Sequence, residues 1–367
     1  MMALEKRKWD PCVTHEDGDV LTFIQNFFTK ERKVLFVAGA GFDPRSTIIA
    51  EHLSKQLKNC TSTVVIFREE RPDPQNRLVM AANAHSEKIE KLFKDVKLFT
   101  IDILSKDDEA VVGGLNAVSA ISQFKKNNYT DIVIDISALS IGVSFPIIRY
   151  MFDNIVQAKM KINIHIFVTH SPSLDIDILP IFCERADYIR GFTGKIQLDP
   201  ARKARKLWLP QLSLSKHAAL IRIFSKVVPD ETCPIIPWPS EDPKLPDRLL
   251  EIYHAELLSA WEVDPRDIVF ASENDPLDLY RTILDLDDFR RKVLAEVGGS
   301  FLVLSPTGSK LMALGSLLAA LERDLPVAYL ETMGYTFSQA EIDLSFKSSY
   351  SFFHLWLVGS EAYPTNF

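Results

Sequence analysis

The sequence predicts an α/β fold built as two three-layer domains, each with a mainly parallel sheet. Short apolar runs rich in Val, Ile and Phe alternate with amphipathic segments along most of the chain, as in strand-helix-strand units. These runs are apolar at every position, so we expect both faces of the strands to be covered. The 367 residues are enough for about two cores. The predicted class is therefore Rossmann-like.

The first domain is predicted to span residues 30–200, after a lead-in of residues 1–29 with one helix. Apolar runs of strand length, separated by segments of helical periodicity, mark five parallel strands. The predicted strands are Lys33–Ala38, Thr63–Phe67, Lys97–Ile101, Asp131–Ile136 and Lys161–Thr169.

A connector is predicted at residues 201–247, because this segment is basic at its start and then rich in proline, which cannot donate a backbone hydrogen bond. The basic cluster Arg202 to Lys206 fits either a solvated face or a contact with phosphate groups. The second domain is predicted at residues 248–367, with strands at Asp267–Ala271 and Phe301–Ser305. The run IVIDISALS of the first domain resembles FLVLSPTGS of the second, which fits a duplication and equally a recurring α/β unit.

Composition excludes several classes of function. The net charge of -7 and pI near 5.7 argue against direct nucleic-acid binding as the main activity. The sequence has no apolar window long enough for a membrane span and no signal-peptide pattern at its start. The four cysteines are scattered, as expected for reduced thiols. We therefore expect a cytoplasmic protein that does not contact a membrane.

The turn GAGFDPRS follows the first strand and precedes a helix, where open parallel sheets bind ligands. Glycine permits close approach of a ligand, and the charged and hydroxyl side chains suit a phosphate. The residues assigned to nucleotide contact are Gly39, Gly41, Asp43, Arg45 and Ser46. The alternative is structural: Asp43 caps the helix and Pro44 begins it. The turn also resembles the PP-loop of ATP pyrophosphatases through Gly41, Asp43 and Ser46, although the leading serine of that pattern is absent.

A second polar turn, SPTGSK, follows the strand at Phe301–Ser305 and precedes an apolar helix. Hydroxyls, backbone N–H groups, a helix N-terminus and an ammonium group favour an anion here. The residues assigned to ligand binding are Ser305, Thr307, Gly308, Ser309 and Lys310. The alternative is a helix capped by Ser305 or Thr307, with Lys310 in solvent.

This segment resembles the Thr-Gly-Gly-Thr-Lys motif of CARF domains, which are Rossmann-like sensors of cyclic oligoadenylates. Gly308, Ser309 and Lys310 match the motif, whereas Pro306 and Thr307 depart from it. The resemblance implies a homodimer that binds a nucleotide-derived ligand, with Lys310 facing its phosphates or sugars.

Further polar residues follow other predicted strands. Asp135 lies at the end of the fourth predicted strand and Ser137 directly follows that strand. Both are assigned to the ligand cleft, with a cap or turn-forming role as the alternative for Asp135. Glu273 and Asp275 follow the strand at Asp267–Ala271, so that carboxylates of several strands fit Mg²⁺ if they converge. The eight histidines show no spacing typical of a metal site.

The sequence favours a cytosolic prokaryotic sensor of a nucleotide-derived ligand, which relays binding to a partner protein of the same operon, as in phage defence. One alternative is a metal-dependent enzyme acting on a nucleotide, with Asp43, Asp135 and Asp275 near Mg²⁺. Another is a non-catalytic scaffold subunit. No effector domain or catalytic residue is recognisable, so the expected ligand, a nucleotide with or without Mg²⁺, remains the main functional prediction.

Overall fold

The computed structural model describes residues 7–194, 204–337 and 350–363. The described strands are, in chain order, β1 (Thr14–Glu16), β2 (Lys33–Gly39), β3 (Thr61–Glu70), β4 (Val96–Asp102), β5 (Asp131–Asp135), β6 (Asn163–His170), β7 (Ile178–Phe182), β8 (Asp187–Tyr188), β9 (Arg205–Pro210), β10 (Glu231–Thr232), β11 (Ile235–Pro237), β12 (Val269–Ala271), β13 (Ser300–Ser305), β14 (Ala328–Tyr329), β15 (Thr332–Phe337) and β16 (Ser351–Val358).

The described α-helices connect these strands. They are α1 (Asp17–Phe27), α2 (Ile48–Leu57), α3 (Asn76–Leu92), α4 (Gly113–Ser122), α5 (Ile141–Gln157), α6 (Pro172–Asp177), α7 (His217–Val227), α8 (Leu245–Ile252), α9 (Pro276–Val293) and α10 (Lys310–Arg323).

The chain forms two compact units that differ from the predicted domains. Unit 1 comprises Met1–Ser173 and Gln339–Phe367, and unit 2 comprises Leu174–Ser338. The C-terminal strand β16 pairs antiparallel with β6 and so belongs to unit 1, not to the second domain. The segment predicted as a connector supplies β9, α7, β10 and β11 of unit 2, because short apolar pieces between its prolines are buried in the sheet.

Unit 1 contains a seven-stranded sheet in the order β1-β16-β6-β5-β2-β3-β4. The five strands from β4 to β6 are parallel. Numbered in chain order, they lie across the sheet as 3-2-1-4-5, the order of a Rossmann-type half. The lead-in predicted at residues 1–29 supplies β1 at the sheet edge and α1 in the core.

Helices cover both faces of this sheet. Helix α1 packs on α2 and α2 on α3, whereas α4 packs on α5 and on β4. Every residue of β5 and β6 is buried, which explains the uninterrupted apolar character of the interior strands. The predicted α/β class with mainly parallel sheets is confirmed.

Unit 2 has a smaller parallel sheet in which β9 lies between β10 and β13. A parallel bridge between Gln211 and Ile235 continues the sheet to β11 and then β12, and another joins Leu304 to Val327 beside β14. The strands therefore again follow the order 3-2-1-4-5. Two antiparallel pairs, β14 with β8 and β15 with β7, complete the unit.

The strand order fixes where a ligand crevice is expected in each unit. In doubly wound sheets the crevice lies at the carboxyl ends of the two strands where the order reverses. These strands are β2 and β5 in unit 1, and β9 and β13 in unit 2. The residues assigned to ligand binding lie at the ends of β2, β5 and β13 or in the turns that follow them, whereas Glu273 and Asp275 follow β12.

Candidate functional site

The two turns at the unit 1 crevice are packed against each other. A Cβ atom added to Gly39 would lie 2.9 Å from Leu139 Cδ2 and 3.1 Å from the Ala138 carbonyl carbon. Gly41 has no atom within 4 Å of the corresponding position. Gly39 is therefore needed for the close approach of the two turns, and Leu139 fills the space beside it.

Asp43, Arg45 and Ser46 are hydrogen-bonded to one another. The Asp43 carboxylate accepts from the Arg45 backbone N–H at 2.9 Å and from Arg45 Nε and Nη2 at 3.0 and 2.7 Å. Arg45 is only 3% exposed, and Ser46 donates to the Asp43 carbonyl oxygen. Asp43 caps the short helix Pro44–Thr47, so the structural alternative accounts for all three residues.

His85, from α3, contacts the same turn. Its Nδ1 lies 2.8 Å from the Gly41 carbonyl oxygen and 3.5 Å from Ser46 Oγ. Because a carbonyl oxygen only accepts, Nδ1 carries the proton and cannot accept the proton of Ser46. This geometry does not activate Ser46 as a nucleophile.

The turn after β5 is also held by internal hydrogen bonds. Asp135 Oδ1 accepts from the Ser137 N–H at 2.9 Å and from its hydroxyl, and Ser137 Oγ accepts from the Thr169 N–H at 2.8 Å. Both side chains are buried, and together they join the carboxyl ends of β5 and β6. These contacts account for Asp135 and Ser137 without a ligand.

A carboxylate of the protein occupies the N-terminus of α5. Glu69 Oε1 lies 2.8 Å from the Ser140 N–H, and Glu69 Oε2 lies 2.8 Å from Arg71 Nη2. A helix N-terminus attracts an anion, and Glu69 provides it from within unit 1. The unit 1 crevice is therefore filled by Leu139 and Glu69.

In unit 2, the first polar residues of the turn after β13 are buried. Ser305 Oγ accepts from Trp208 Nε1 at 2.8 Å, and Thr307 Oγ1 donates to the Gln211 carbonyl oxygen. Ser305 and Thr307 thus hold the carboxyl ends of β9 and β13 together, rather than cap a helix. The Gly308 N–H donates to Gln211 Oε1 at 3.1 Å.

Gln211 organises this crevice and was not predicted from the sequence. It is fully buried, and its Nε2 donates to the Met312 carbonyl oxygen at 3.1 Å and to Ser316 Oγ at 2.7 Å. The signal was a polar residue directly after the apolar strand LWLP. One glutamine side chain therefore joins the turn after β9 to α10.

The N-cap of α10 is Ser309, and not Ser305 or Thr307 as the structural alternative expected. Its Oγ accepts from the Met312 N–H at 3.3 Å and donates to the Glu273 carbonyl oxygen at 3.2 Å. Lys310 is the first residue of α10 and is half-buried, rather than extended into solvent.

A second lysine begins the other helix at this crevice. Lys216 is the N-cap residue of α7 and makes no side-chain capping bond. It ends the segment QLSLSK after β9, which resembles SPTGSK after β13 in placing Ser-Lys at a helix start. Both lysines lie at the positive end of a helix dipole, where an anion is favoured. Lys216 Nζ also lies 5.3 Å from the centre of the Phe182 ring.

Two acidic residues, Glu273 and Asp275, lie in the segment whose backbone contacts Ser309. Glu273 is buried, and burial together with the charges of Glu241, Asp175 and Asp242 raises its pKa. Asp275 is the N-cap of α9 and accepts from the Leu277 N–H at 2.9 Å. No three His, Cys, Asp or Glu side chains among residues 7–194, 204–337 and 350–363 are grouped as metal ligands.

A hydrogen-bonded row of three histidines and Asp131 crosses four neighbouring strands of unit 1. His15 Nδ1 lies 2.9 Å from His354 Nδ1, His354 Nε2 lies 3.1 Å from His165 Nδ1, and His165 Nε2 lies 3.4 Å from Asp131 Oδ1. Ionised Asp131 only accepts, so each neutral ring donates toward it. The sequence signal was a histidine inside an apolar strand, in NIHIFV and FFHLWL.

The predicted basic cluster is only partly described. Arg202 and Lys203 lie outside the described residues. Arg205 pairs with Glu231 at 3.3 Å, and Lys206 Nζ donates to the Val227 carbonyl oxygen at 2.6 Å. Both described members of the cluster therefore bond to other residues of unit 2, the unit to which they belong.

Comparisons with known proteins found only distant similarity. No protein-family model matches the sequence, and no curated protein matches it. Similar solved structures include a universal stress protein from Archaeoglobus fulgidus DSM 4304, with 14% identity, 82% of this chain and 96% of that chain covered, and a TM-score of 0.22. Another is an uncharacterized protein from Listeria monocytogenes serotype 4b, with 12% identity, 47% and 62% covered, and a TM-score of 0.21.

The doubly wound α/β class rests on the strand order and not on these matches. The resemblances to CARF domains and to PP-loop enzymes stay predictions. Among the helices that the structure describes, none is long and apolar enough to cross a membrane.

Proposed function

We propose that unit 2 binds an anionic, nucleotide-type ligand at the crevice between β9 and β13. The observation that carries the proposal is the pair of helix starts at this crevice, each with a lysine at its positive end. Lys216 is at the N-cap of α7, and Lys310 is the first residue of α10. Ammonium groups and helix N-termini both attract anions, so these two helix starts support an anion site.

The contrast with unit 1 supports this assignment. There, the N-terminus of α5 already has a carboxylate, Glu69, and the buried Arg45 already pairs with Asp43. In unit 2, the buried hydroxyls of Ser305 and Thr307 hold the strands together, and a lysine stands at the start of each adjacent helix.

The test is isothermal titration calorimetry with ATP and with cyclic oligoadenylates. We expect Lys310→Ala to weaken binding about tenfold or more, because a charge-assisted hydrogen bond is lost. Lys292→Ala is the matched control, since Lys292 is an exposed lysine of α9 in the same unit. Equal binding by wild type and Lys310→Ala, or no heat from the wild type with any of these ligands, would contradict the proposal.

We further propose that the site senses its ligand rather than converts it. Asp43, Asp135 and Asp275, the carboxylates of the enzyme alternative, are each engaged as a cap or in a turn. We therefore expect ATP incubated with the protein and Mg²⁺ to be recovered unchanged by chromatography. Mg²⁺-dependent turnover that disappears in Asp43→Asn would favour the enzyme alternative.

The residues Gly308, Ser309 and Lys310 support the more specific proposal of a CARF-like sensor of phage defence, acting as a homodimer with a partner from its operon. Light scattering with and without a cyclic oligoadenylate tests the dimer. A monomer at micromolar concentration in both conditions would remove this part of the proposal and leave nucleotide binding untouched.

A further inference from the structure

One aromatic side chain at the unit 2 rim is exposed where aromatic side chains are normally buried. All five tryptophans of the sequence lie in the described residues, and four of them are at most 7% exposed. Trp238 is 47% exposed. It directly follows β11, at the carboxyl end of a strand on the same edge of the sheet as the crevice.

The exposed indole is held on a fixed backbone. The Trp238 N–H donates to the Ala271 carbonyl oxygen at 2.7 Å, which ties it to the end of β12. Pro237 and Pro239 flank it and restrict the backbone on both sides. Among the described residues, no aromatic ring packs on the Trp238 indole. A rigid, amphipathic ring of this kind loses little entropy when a flat ligand stacks on it.

Hydrogen bonds connect Trp238 to the proposed anion site. The Glu273 N–H donates to the Pro239 carbonyl oxygen at 3.0 Å, and Glu273 Oε2 accepts from the Glu241 N–H at 3.1 Å. On its other side, the Glu273 carbonyl oxygen accepts from Ser309 Oγ at 3.2 Å. Glu273 is therefore bonded both to the turn that carries Lys310 and to the loop that carries Trp238.

Charges of both signs lie along this rim. Ammonium groups lie at the two helix starts, and the Glu273 carboxylate is bonded to the Glu241 N–H in the loop after Trp238. Asp242, in the same loop, pairs with Arg248. A phosphate is attracted at the first position and repelled at the second, and carboxylates accept from ribose hydroxyls. We infer from this arrangement a ligand orientation with the phosphates at Lys310, the sugar at the carboxylates and the base at Trp238.

We propose that Trp238 is the base-stacking platform of this site, so that the ligand class is a nucleotide and not a simple phosphate or a sugar phosphate. This inference rests on the proposed function. It adds the requirement of a nucleobase, because every base has a flat face that stacks on an aromatic ring, whereas a phosphate has none.

The experiment compares ADP with inorganic pyrophosphate by calorimetry, since only ADP has a base. We expect Trp238→Ala to weaken ADP binding about tenfold, within the range measured for loss of a base-stacking aromatic residue, and to leave pyrophosphate binding unchanged. Phe289→Ala, an exposed aromatic of α9, is the control and should change neither. Lys310→Ala should weaken both ligands.

Trp238→Phe provides a second readout. Phenylalanine keeps a stacking surface, so ADP binding should largely persist, while the change in tryptophan fluorescence that ADP causes in the wild type should be lost. If Trp238→Ala leaves ADP affinity unchanged while Lys310→Ala weakens it, the base platform is refuted and the anion site stands. If the wild type binds neither ADP nor pyrophosphate, both proposals fail together.

Discussion

The sheets of the two units have the same strand order, but the side chains at their crevices differ. In unit 1, the turn after β2 contacts the turn after β5, and Leu139 and the carboxylate of Glu69 fill the positions where a ligand would lie. In unit 2, Gln211 joins the corresponding turns, and two lysines begin the adjacent helices. A Rossmann-type strand order therefore specifies where a site can form, and the side chains at the helix starts decide whether one does.

Two Asp-Pro-Arg segments allow the sharpest test of the structural role of the unit 1 rim. Asp43 and Arg45 form the same contacts as Asp264 and Arg266, but Arg45 is buried and Arg266 is exposed. Asp43→Ala would leave a buried guanidinium without its carboxylate, so we expect the free energy of unfolding to fall by about 3 kcal/mol. Urea denaturation measures this change.

Asp264→Ala is the matched control. The hydrogen bonds of Arg266 lower the pKa of Asp264 to about 2. When the carboxylate is removed, water takes its place as the hydrogen-bond partner of the exposed Arg266. We expect no measurable change in stability. Equal stabilities of the two variants would show that Asp43 is free for another role, as in the enzyme alternative.

The glycines test how tightly each crevice is closed. In Gly39→Ala the new Cβ would approach a backbone carbonyl group, so we expect the free energy of unfolding to fall by about 2 kcal/mol. Gly41→Ala has open space and should cost little. In Gly308→Ala the atom nearest to the new Cβ would be Gln211 Oε1, at the end of a side chain and 2.8 Å away. An equal loss for Gly39→Ala and Gly41→Ala would contradict the packing described for unit 1.

The histidine row should make unit 1 sensitive to acid. Burial lowers the pKa values of His15, His165 and His354. The charge of Asp19 raises the pKa of His15, and the charges of Asp131 and Glu361 raise that of His165, but burial has the larger effect. Arg32 acts on His165 in the same direction as burial, and the charges of His165 and His15 also lower the pKa of His354. The rings are therefore neutral in the folded protein near pH 7.

The sign of the effect follows from proton uptake. An unfolded histidine has a pKa near 6.5, so below that pH the unfolded chain binds more protons than the folded one. Stability should be greatest above about pH 6.5 and should fall at lower pH, by up to ~1.4 kcal/mol per pH unit for each proton. The lowered pKa of Asp131 acts the same way, but only below its ordinary value of 3.8.

Urea denaturation between pH 5 and pH 8 measures this slope, and hydrogen exchange assigns it to a unit. We expect His354→Gln to flatten the slope, because glutamine keeps polar contacts and does not titrate. His254→Gln, at an exposed histidine of unit 2, is the control. A slope that His354→Gln leaves unchanged would show that other groups cause the acid sensitivity.

The smallest predicted effect concerns Lys310. A lysine in the first turn of a helix opposes the helix dipole, so Lys310→Ala should leave stability unchanged or raise it by up to about 0.5 kcal/mol. Lys292→Ala, in the last turn of α9, should lower stability by a similar amount. A loss of more than 1 kcal/mol in Lys310→Ala would indicate that Lys310 holds the fold rather than a ligand.

Local sequence patterns predicted the strands and the turns with useful accuracy. The apolar runs of β2, β5, β6 and β13 were recognised because both faces of these strands are buried. The polar turns after β2, β5 and β13 were placed at strand ends because the apolar runs stop there. The short strand β11 was missed because prolines surround it, and the return of β16 to unit 1 was missed because pairing between distant segments leaves no local pattern.

The roles of the site residues depended on contacts that are distant in the sequence. Arg45 and Lys310 both looked like anion-binding residues, since each is a cation just after a buried strand. Asp43 satisfies Arg45 inside a buried turn, whereas Lys310 stands at the start of α10. Gln211 was overlooked because its partners, Met312 and Ser316, lie about a hundred residues further along the chain.

The sequence by itself determined the α/β class and the positions of the polar turns, because hydrophobic periodicity and turn-forming residues act over a few neighbouring residues. Only the tertiary structure decided which of the two crevices is filled and which segments complete each sheet. The reason is physical: burial and hydrogen bonding depend on which side chains meet in space, and those of Leu139, Glu69 and Gln211 come from other strands and turns than the groups they contact.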